Sequence, residues 1–420
     1  MRKLILQSLI VLLYAYQVNA QSIDLKKINI EKSIDHFSEI NLSELGTEIR
    51  YIPLNGRKEE FLLEKIVNID FSQDRICVSD FQSCFLFTID GVFLKKIGQQ
   101  GRGPGEFRLI GDVKFSSNRE FIYLSSCQFI YKYSLEGNFL KSIPLQNVKT
   151  DDGYSVSVTP WVAIANNLFL GNIPNFNGNQ KNKLIVFDED GKIIKEFKNY
   201  HFYDNDFNVA NTWDVRISFY QFGDLYTFKK LKNDTLFRMT SDLTTYPSHY
   251  FYLGKYRPPF EKKYKSFTDF LNEIVNYISV NSVLETKDYF FLTCDFGKNT
   301  TGYKINKVLK DGRNYTYKNT LVKALYVKSN DRLTFLKHGL ADGFINDIDG
   351  GINFFPQKII NDSIMVSWID AYQLKAHVAS NAFKTSNPKY PEKKNELEKL
   401  ANSLNENDNP VLILLKLKEE

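Results

Sequence analysis

The sequence predicts an all-β fold, a six-bladed β-propeller with four-stranded antiparallel blades, its ring closed by the N- and C-terminal strands. Three observations predict it. The composition is aromatic-rich and strand-like, a hairpin segment recurs without gaps, and a dense apolar strand at the very end of the chain needs a partner from elsewhere.

Phe and Tyr number 34 and 24 against three Trp and three Met, and flat rings suit pleated surfaces. The 420 residues would hold two or three ordinary domains or one large repeat architecture, so repetition decides between them. Residues 1–20 read as a secretory signal: Arg2 and Lys3 open it, an apolar run spans 4–16, and Val18, Asn19 and Ala20 precede a cut at Gln21. The mature chain, 21–420, is then one propeller domain, exported to the periplasm or beyond, with helical insertions near 259–275 and 391–405. No later apolar run reaches the roughly 20 residues of a transmembrane helix. No cysteine stands at the cut, so the chain does not read as a lipoprotein.

The repeat is the main signal. Residues 87–97, 133–143 and 187–197 share one skeleton: an aromatic four before a glycine, an acid just before it, apolar residues two, three and six after it, and a lysine four after it. Gly91, Gly137 and Gly191 mark tight turns that need positive φ, and the flanks are strands. Lys95, Lys141 and Lys195 then sit on outer strands, where they blunt edge pairing or are simply solvated. The glycines are spaced by about 46 and 54 residues, a propeller period, and Asp311-Gly312 is a weaker copy about two periods on. Four strands per unit place further units at about 159–197, 215–253, 277–320 and 347–369. Residues 410–418 form the terminal strand, which would leave its backbone unpaired alone and is expected to join a segment near 48–53. Pro258-Pro259 and 260–274 read as a loop and short helix, and 391–404 as an exposed helix.

The run Ile97-Gly98-Gln99-Gln100-Gly101-Arg102-Gly103-Pro104-Gly105-Glu106-Phe107 resembles the blade-connecting signature of NHL-type propellers. With Asn346-Asp347-Ile348-Asp349-Gly350-Gly351 and Asn409-Pro410-Val411-Leu412, the chain resembles the secreted six-bladed β-propeller proteins of Bacteroidota. The resemblance implies the fold and export, and defines no activity.

Charge excludes little beyond nucleic acid. Arg2 and Lys3 supply two of the five formal positive charges, and the remaining lysines are scattered among acids. The glycine-rich run lacks the spacing of a phosphate loop, so Phe107 is expected to pack inward and Glu106 to cap backbone amides, with Arg102 at the tip as a ligand contact. Asp347 and Asp349 alternate as cation ligands do, but Gly351 stands where a third oxygen is required, so the segment reads as a turn that can contribute to a ligand site. Trp213, with Trp161 and Trp368, is a candidate sugar-stacking residue or blade core. His36, His201, His249, His338 and His377 show no zinc spacing, no nucleophile elbow appears, and no cofactor or metal is expected. Cys77, Cys84, Cys127 and Cys294 are expected as buried thiols. The favoured function is a monomeric binding or scaffold module taking a glycan, peptide or protein on its loop face; the alternative is a metal-assisted lyase or hydrolase at the central channel.

Overall fold

The computed structural model describes residues 25–418 apart from 56–61, 64, 127, 146–147, 149–157, 159–160, 166, 176–178, 201, 203–216, 232, 260–265, 301, 309–313 and 338–342. Six antiparallel sheets form the blades of a ring. Blade 1 is Asn68–Phe71, Arg75–Ser79, Cys84–Thr88 and Phe93–Lys96, ordered from the axis outward. Blade 2 runs from Asp112–Phe115 to Phe139–Pro144 and blade 3 from Trp161–Ile164 to Ile193–Lys198. Blade 4 spans Ile217–Phe222 to Thr245–Tyr252, and blade 5 begins at Ser279–Glu285 and ends at Arg332–Leu336.

Blade 6 is assembled from both ends of the chain. Its inner strands are Lys358–Ile360 and Ile364–Ile369, its third is Val411–Leu417, and its outermost is Gly46–Pro53. The clasp pairs Glu48 with Lys416 and Pro53 with Val411, which satisfies the backbone of the terminal strand. Asn409 locks it, accepting from the Leu63 amide at 2.7 Å, while the Leu54 amide donates to Pro410 O at 3.3 Å.

The core is divided between neighbours. Ile52, Val366 and Leu412 of blade 6 meet Ile69, Ile76 and Phe87 of blade 1, and Cys77 and Leu86 of blade 1 meet Val113, Ile122 and Tyr133 of blade 2. The same arrangement continues round the ring. No blade can bury its faces alone, so the copies stand together.

The recurring lysine has a role that the sequence reading lacks. Lys95 Nζ donates to Glu136 O at 3.0 Å, Lys141 pairs with Asp190 at 2.6 Å, and Lys195 donates to Leu243 O at 2.7 Å. Each reaches the outer hairpin of the next blade, and Arg50 of blade 6 does the same to Asp90 of blade 1. At Asp90 and Asp190 the acid before the glycine receives the link through its side chain, whereas Glu136 and Leu243 receive it through their backbone carbonyls. Arg50 and Asp90 are more than half exposed, so this link contributes register more than stability.

An N-terminal belt was not foreseen. Lys26–Asn29 adds in parallel to the outer edge of blade 4, pairing with His249 to Tyr252, and Phe37–Ser38 does so on blade 5 before the chain enters blade 6. Two other expectations need correction. The 277–320 unit is not a whole blade: Tyr303–Val308 and Asn314–Asn319 form a separate hairpin inserted between the second and third strands of blade 5. Asp311-Gly312 lies outside the described residues; strand-turn-strand chemistry looks alike in sequence wherever it is inserted. The helix Pro391–Ser403 is not simply exposed, since Leu397 and Ala401 are buried in the core between blades 5 and 6. It packs with the helices Ala371–Ala379 and Asn381–Thr385, and Lys375 Nζ caps its last turn at Ala401 O and Leu404 O. The helix Phe267–Ile274 lies between blades 4 and 5.

Candidate functional site

Two ionic networks centre on carboxylates of the innermost strands, Asp70 and Glu285. Asp70 in blade 1 accepts from the Phe115 amide of blade 2 at 2.8 Å and pairs with Lys358 of blade 6. Arg119 stands 3.6 Å from its other oxygen, and Lys114 pairs with Asp112 at 3.1 Å. Burial alone would raise the Asp70 carboxyl, but Lys358, Lys114 and Arg119 together hold it below the usual carboxylate range. The second network centres on Glu285, whose side chain is 0% exposed. Arg238 of blade 4 grips it with two bonds of 2.6 and 2.7 Å, Lys328 donates at 2.6 Å and the Tyr220 hydroxyl at 2.9 Å. The Gly223 amide also donates to Asp362 at 2.8 Å, joining the first turns of blades 4 and 6.

These residues carried no sequence signal, because they come from five blades and meet only when the ring closes. The Asp70, Asp112 and Glu285 carboxylates are committed to cations, which welds the inner wall. Among the described residues, no three His, Cys, Asp or Glu converge as metal ligands do.

The two ends of the ring differ sharply. At one end, first-to-second and third-to-fourth strand turns are tight, from 223–224 at the shortest to 116–120, 188–192 and 240–244 at the longest. Long connections emerge from the other end: 97–111, 199–216, 253–278, 296–320, 337–357 and 370–410. That loop end also exposes apolar side chains, with Tyr200 at 80%, Phe202 at 59% and Phe81 at 48%, besides Leu62, Leu109, Leu271, Val275 and Tyr372. Exposed apolar groups in long loops on a rigid frame are the composition of a recognition surface.

The sequence-predicted residues fall in different places. Arg102 is exposed at the tip of the 97–111 connection. Its loop is held by Glu106, which accepts from the Gly103 amide at 2.7 Å and Gln99 at 2.5 Å, while Phe107 is 1% exposed. Backbone donation from Gly103 is the main reason that the Glu106 carboxyl titrates below the usual range. Trp213 lies outside the described residues. Trp161 is buried, its ring edge-on to Phe169 at 5.5 Å, and Trp368 is packed against the core between blades 6 and 1.

Asp347 and Asp349 face different partners. Asp347 accepts from the Ser43 amide at 2.9 Å and the Ser43 hydroxyl at 2.6 Å, with Lys389 at 3.2 Å. It fastens the belt's short helix Leu42–Leu45 to the 337–357 connection. Asp349 is 1% exposed and accepts from the Gly351 amide at 2.9 Å and the Tyr51 hydroxyl at 3.3 Å, but its Oδ2 has no partner. Burial raises its carboxyl, against those bonds. The adjacent backbone binds the helical insertion, as the Lys389 and Tyr390 amides donate to Asp347 O and Ile348 O and His377 Nε2 lies 2.9 Å from Gly350 O. The motif is therefore a junction between belt, blade 6 and helices.

Of the thiols, Cys77, Cys84 and Cys294 are free and buried, with Cys77 and Cys84 sulfurs 3.3 Å apart; Cys127 lies outside the described residues. Among the described residues no helix is long and apolar enough to cross a membrane.

Comparison with known proteins gives one family and several similar solved structures. The family described as "Domain of unknown function (DUF4934)" matches residues 25–416. No curated protein matches the chain. Among solved structures, the "putative exported protein" of Bacteroides fragilis NCTC 9343 is similar with a TM-score of 0.67 and 19% identity, covering 94% of this chain and 100% of that one. A member of the DUF4221 family from Bacteroides vulgatus has a TM-score of 0.46 and 12% identity over 90% of this chain and 98% of its own. Virginiamycin B lyase from Staphylococcus aureus has a TM-score of 0.35 and 12% identity over 70% and 89%.

Proposed function

This chain belongs to the DUF4934 family, a domain of unknown function, and from that premise we propose that it is an exported propeller that binds a glycan, peptide or protein partner at its loop end. One observation carries the reading: the long connections and most exposed apolar side chains share one end of the ring, opposite an end of tight turns. A ring welded by buried ion pairs is a rigid scaffold, and rigid scaffolds present loops at low ordering cost. Export is supported by the signal-like residues 1–20 and by the name of the Bacteroides fragilis relative. Arg102, Asp347 and Asp349 belong to loop-end connections, and they and Trp213 are proposed as ligand-contacting or ligand-positioning residues.

The test is binding of the mature chain to a glycan array and a peptide panel, paired with metal analysis. Saturable binding, reduced by Arg102→Ala or Trp213→Ala and retained in Arg332→Ala at the turn end, is the expected result. Stoichiometric metal whose removal abolishes turnover of a substrate would instead establish the lyase or hydrolase reading.

A further inference from the structure

The middle hairpin of blade 1 brings two sulfurs together inside the core. Cys77 lies on the second strand opposite Leu86 and Cys84 on the third opposite Ser79, so the two cysteines are diagonal neighbours on one face of the sheet. The right-handed twist of paired strands closes one diagonal and opens the other. Here the sulfurs are 3.3 Å apart and both residues are 0% exposed. That separation is inside van der Waals contact for two sulfurs, and about 1.3 Å of closure would bring it to the disulfide length of about 2.05 Å.

Local structure sets this geometry without help from the closed ring. Asp80 fixes the turn between the strands, its carboxylate accepting from the Gln82 amide at 2.7 Å and the Ser83 amide at 2.6 Å, while its own amide donates to Ser83 O at 3.1 Å. Only residues 78–83 separate the cysteines. An isolated hairpin is marginal, but transient pairing suffices for a covalent step. Once blade 2 packs against blade 1, both cysteines are sealed in the shared core with Leu86, Val113 and Ile122. Burial, with the neighbouring Cys84 sulfur, raises the Cys77 thiol well above its ordinary range, so the folded pair is poor in thiolate and closed to reagents. Cys294, by contrast, packs among apolar side chains of blades 4 and 5 as a small hydrophobe.

We infer that Cys77 and Cys84 are an oxidation site, whose disulfide forms by thiol–disulfide exchange before blade 2 covers the hairpin and then staples it. The inference rests on the export reading above, because an oxidising compartment supplies the oxidant, a protein or small-molecule disulfide. One cysteine thiolate attacks a sulfur of that oxidant and expels its other half as a thiolate. The second cysteine thiolate attacks the protein sulfur of the mixed disulfide and expels the remaining half. One disulfide is thus reduced to two thiols as another forms, and the protons that the cysteines lose go to the expelled thiolates. The product restricts the unfolded chain and fixes a register in which a one-residue slip would turn the sulfurs to opposite faces.

The experiment refolds the reduced mature chain from urea by dialysis into a glutathione redox buffer, quenches in acid, and alkylates with N-ethylmaleimide in urea. Cleavage at Asp80 or after Phe81 separates the two cysteines for mass spectrometry. Expected are linked fragments holding Cys77 and Cys84, unlabelled until reduced. Reducing the link in urea and refolding should lower the thermal midpoint by roughly 4 °C. Labelling of both cysteines, a link to Cys127 or Cys294 instead, or an unchanged midpoint overturns the inference. The same alkylation on fractionated cells expressing the chain with residues 1–20 separates this from the export reading. A periplasmic chain with both cysteines labelled also overturns the inference, whereas a chain retained in the cytoplasm refutes export and leaves the link formed in glutathione standing.

Discussion

His249 shows how a single side chain writes a pH dependence into the ring. It is 8% exposed between blades 4 and 5, its ring edge-on to Phe290 at 4.8 Å and its Nδ1 2.7 Å from Ser248 Oγ. Burial, with Arg238, Lys328 and Lys26 acting against Glu285, lowers its pKa to about 4. The folded imidazole therefore stays neutral between about 4 and 6.5, where the unfolded chain takes up a proton. Stability attached to this residue is complete above pH 6.5 and falls as pH drops to about 4, by on the order of 3 kcal/mol. In urea melts at pH 7, 5.5 and 4.5, His249→Phe should lose less stability on acidification than the parent; parallel losses would refute the assignment. None of this was legible in the sequence, which shows His249 only as a lone histidine. The same holds for Glu285, Arg238 and Lys328, since buried ions from different blades leave no spacing to read. Lys95, Lys141 and Lys195 were legible as a pattern but not as links, because their partners lie one period away.

At the scale of elements, the hairpins were the most legible part, because their turns need a residue that only a few amino acids satisfy. Gly91, at φ +83°, also packs so closely on blade 6 that an added Cβ would lie 2.3 Å from Pro53 O. Gly91→Ala therefore combines backbone strain with a clash at the blade 6–1 junction, and should destabilise by more than about 1 kcal/mol in chemical denaturation. Gly223→Ala is the comparison, for its Cβ meets nothing within 4 Å at φ +53°, so only the strain remains. Equal losses in the two would show that the junction contributes nothing. Insertions were less legible than hairpins. The pair Tyr303–Val308 and Asn314–Asn319 obeys the same strand chemistry as a blade, and the helices Ala371–Ala379 and Asn381–Thr385 carry no strong apolar stripe to announce them.

For the whole molecule, closure was readable from one fact, a strand of dense apolar residues with no neighbour in sequence. Which segment receives it follows from the clasp of Gly46–Pro53 with Val411–Leu417. Deleting 410–420 should therefore open the ring rather than trim a tail: Val366 and Ile52 lose Leu412, and the core between blades 6 and 1 is exposed. The expected outcome is loss of a single cooperative melt with gain of dye-binding apolar surface; an unchanged melt would contradict closure by this clasp. The belt was unreadable, since Lys26–Asn29 and Phe37–Ser38 are too short to signal strands alone. It also gives the molecule a mechanical polarity. A pull on residue 25 would unzip Lys26–Asn29 from one edge, pair by pair, and spend its work there before tension reached the clasp. A pull on residue 418 would load a strand bonded on both flanks, so the ring should yield to traction at its start well before it yields at its end.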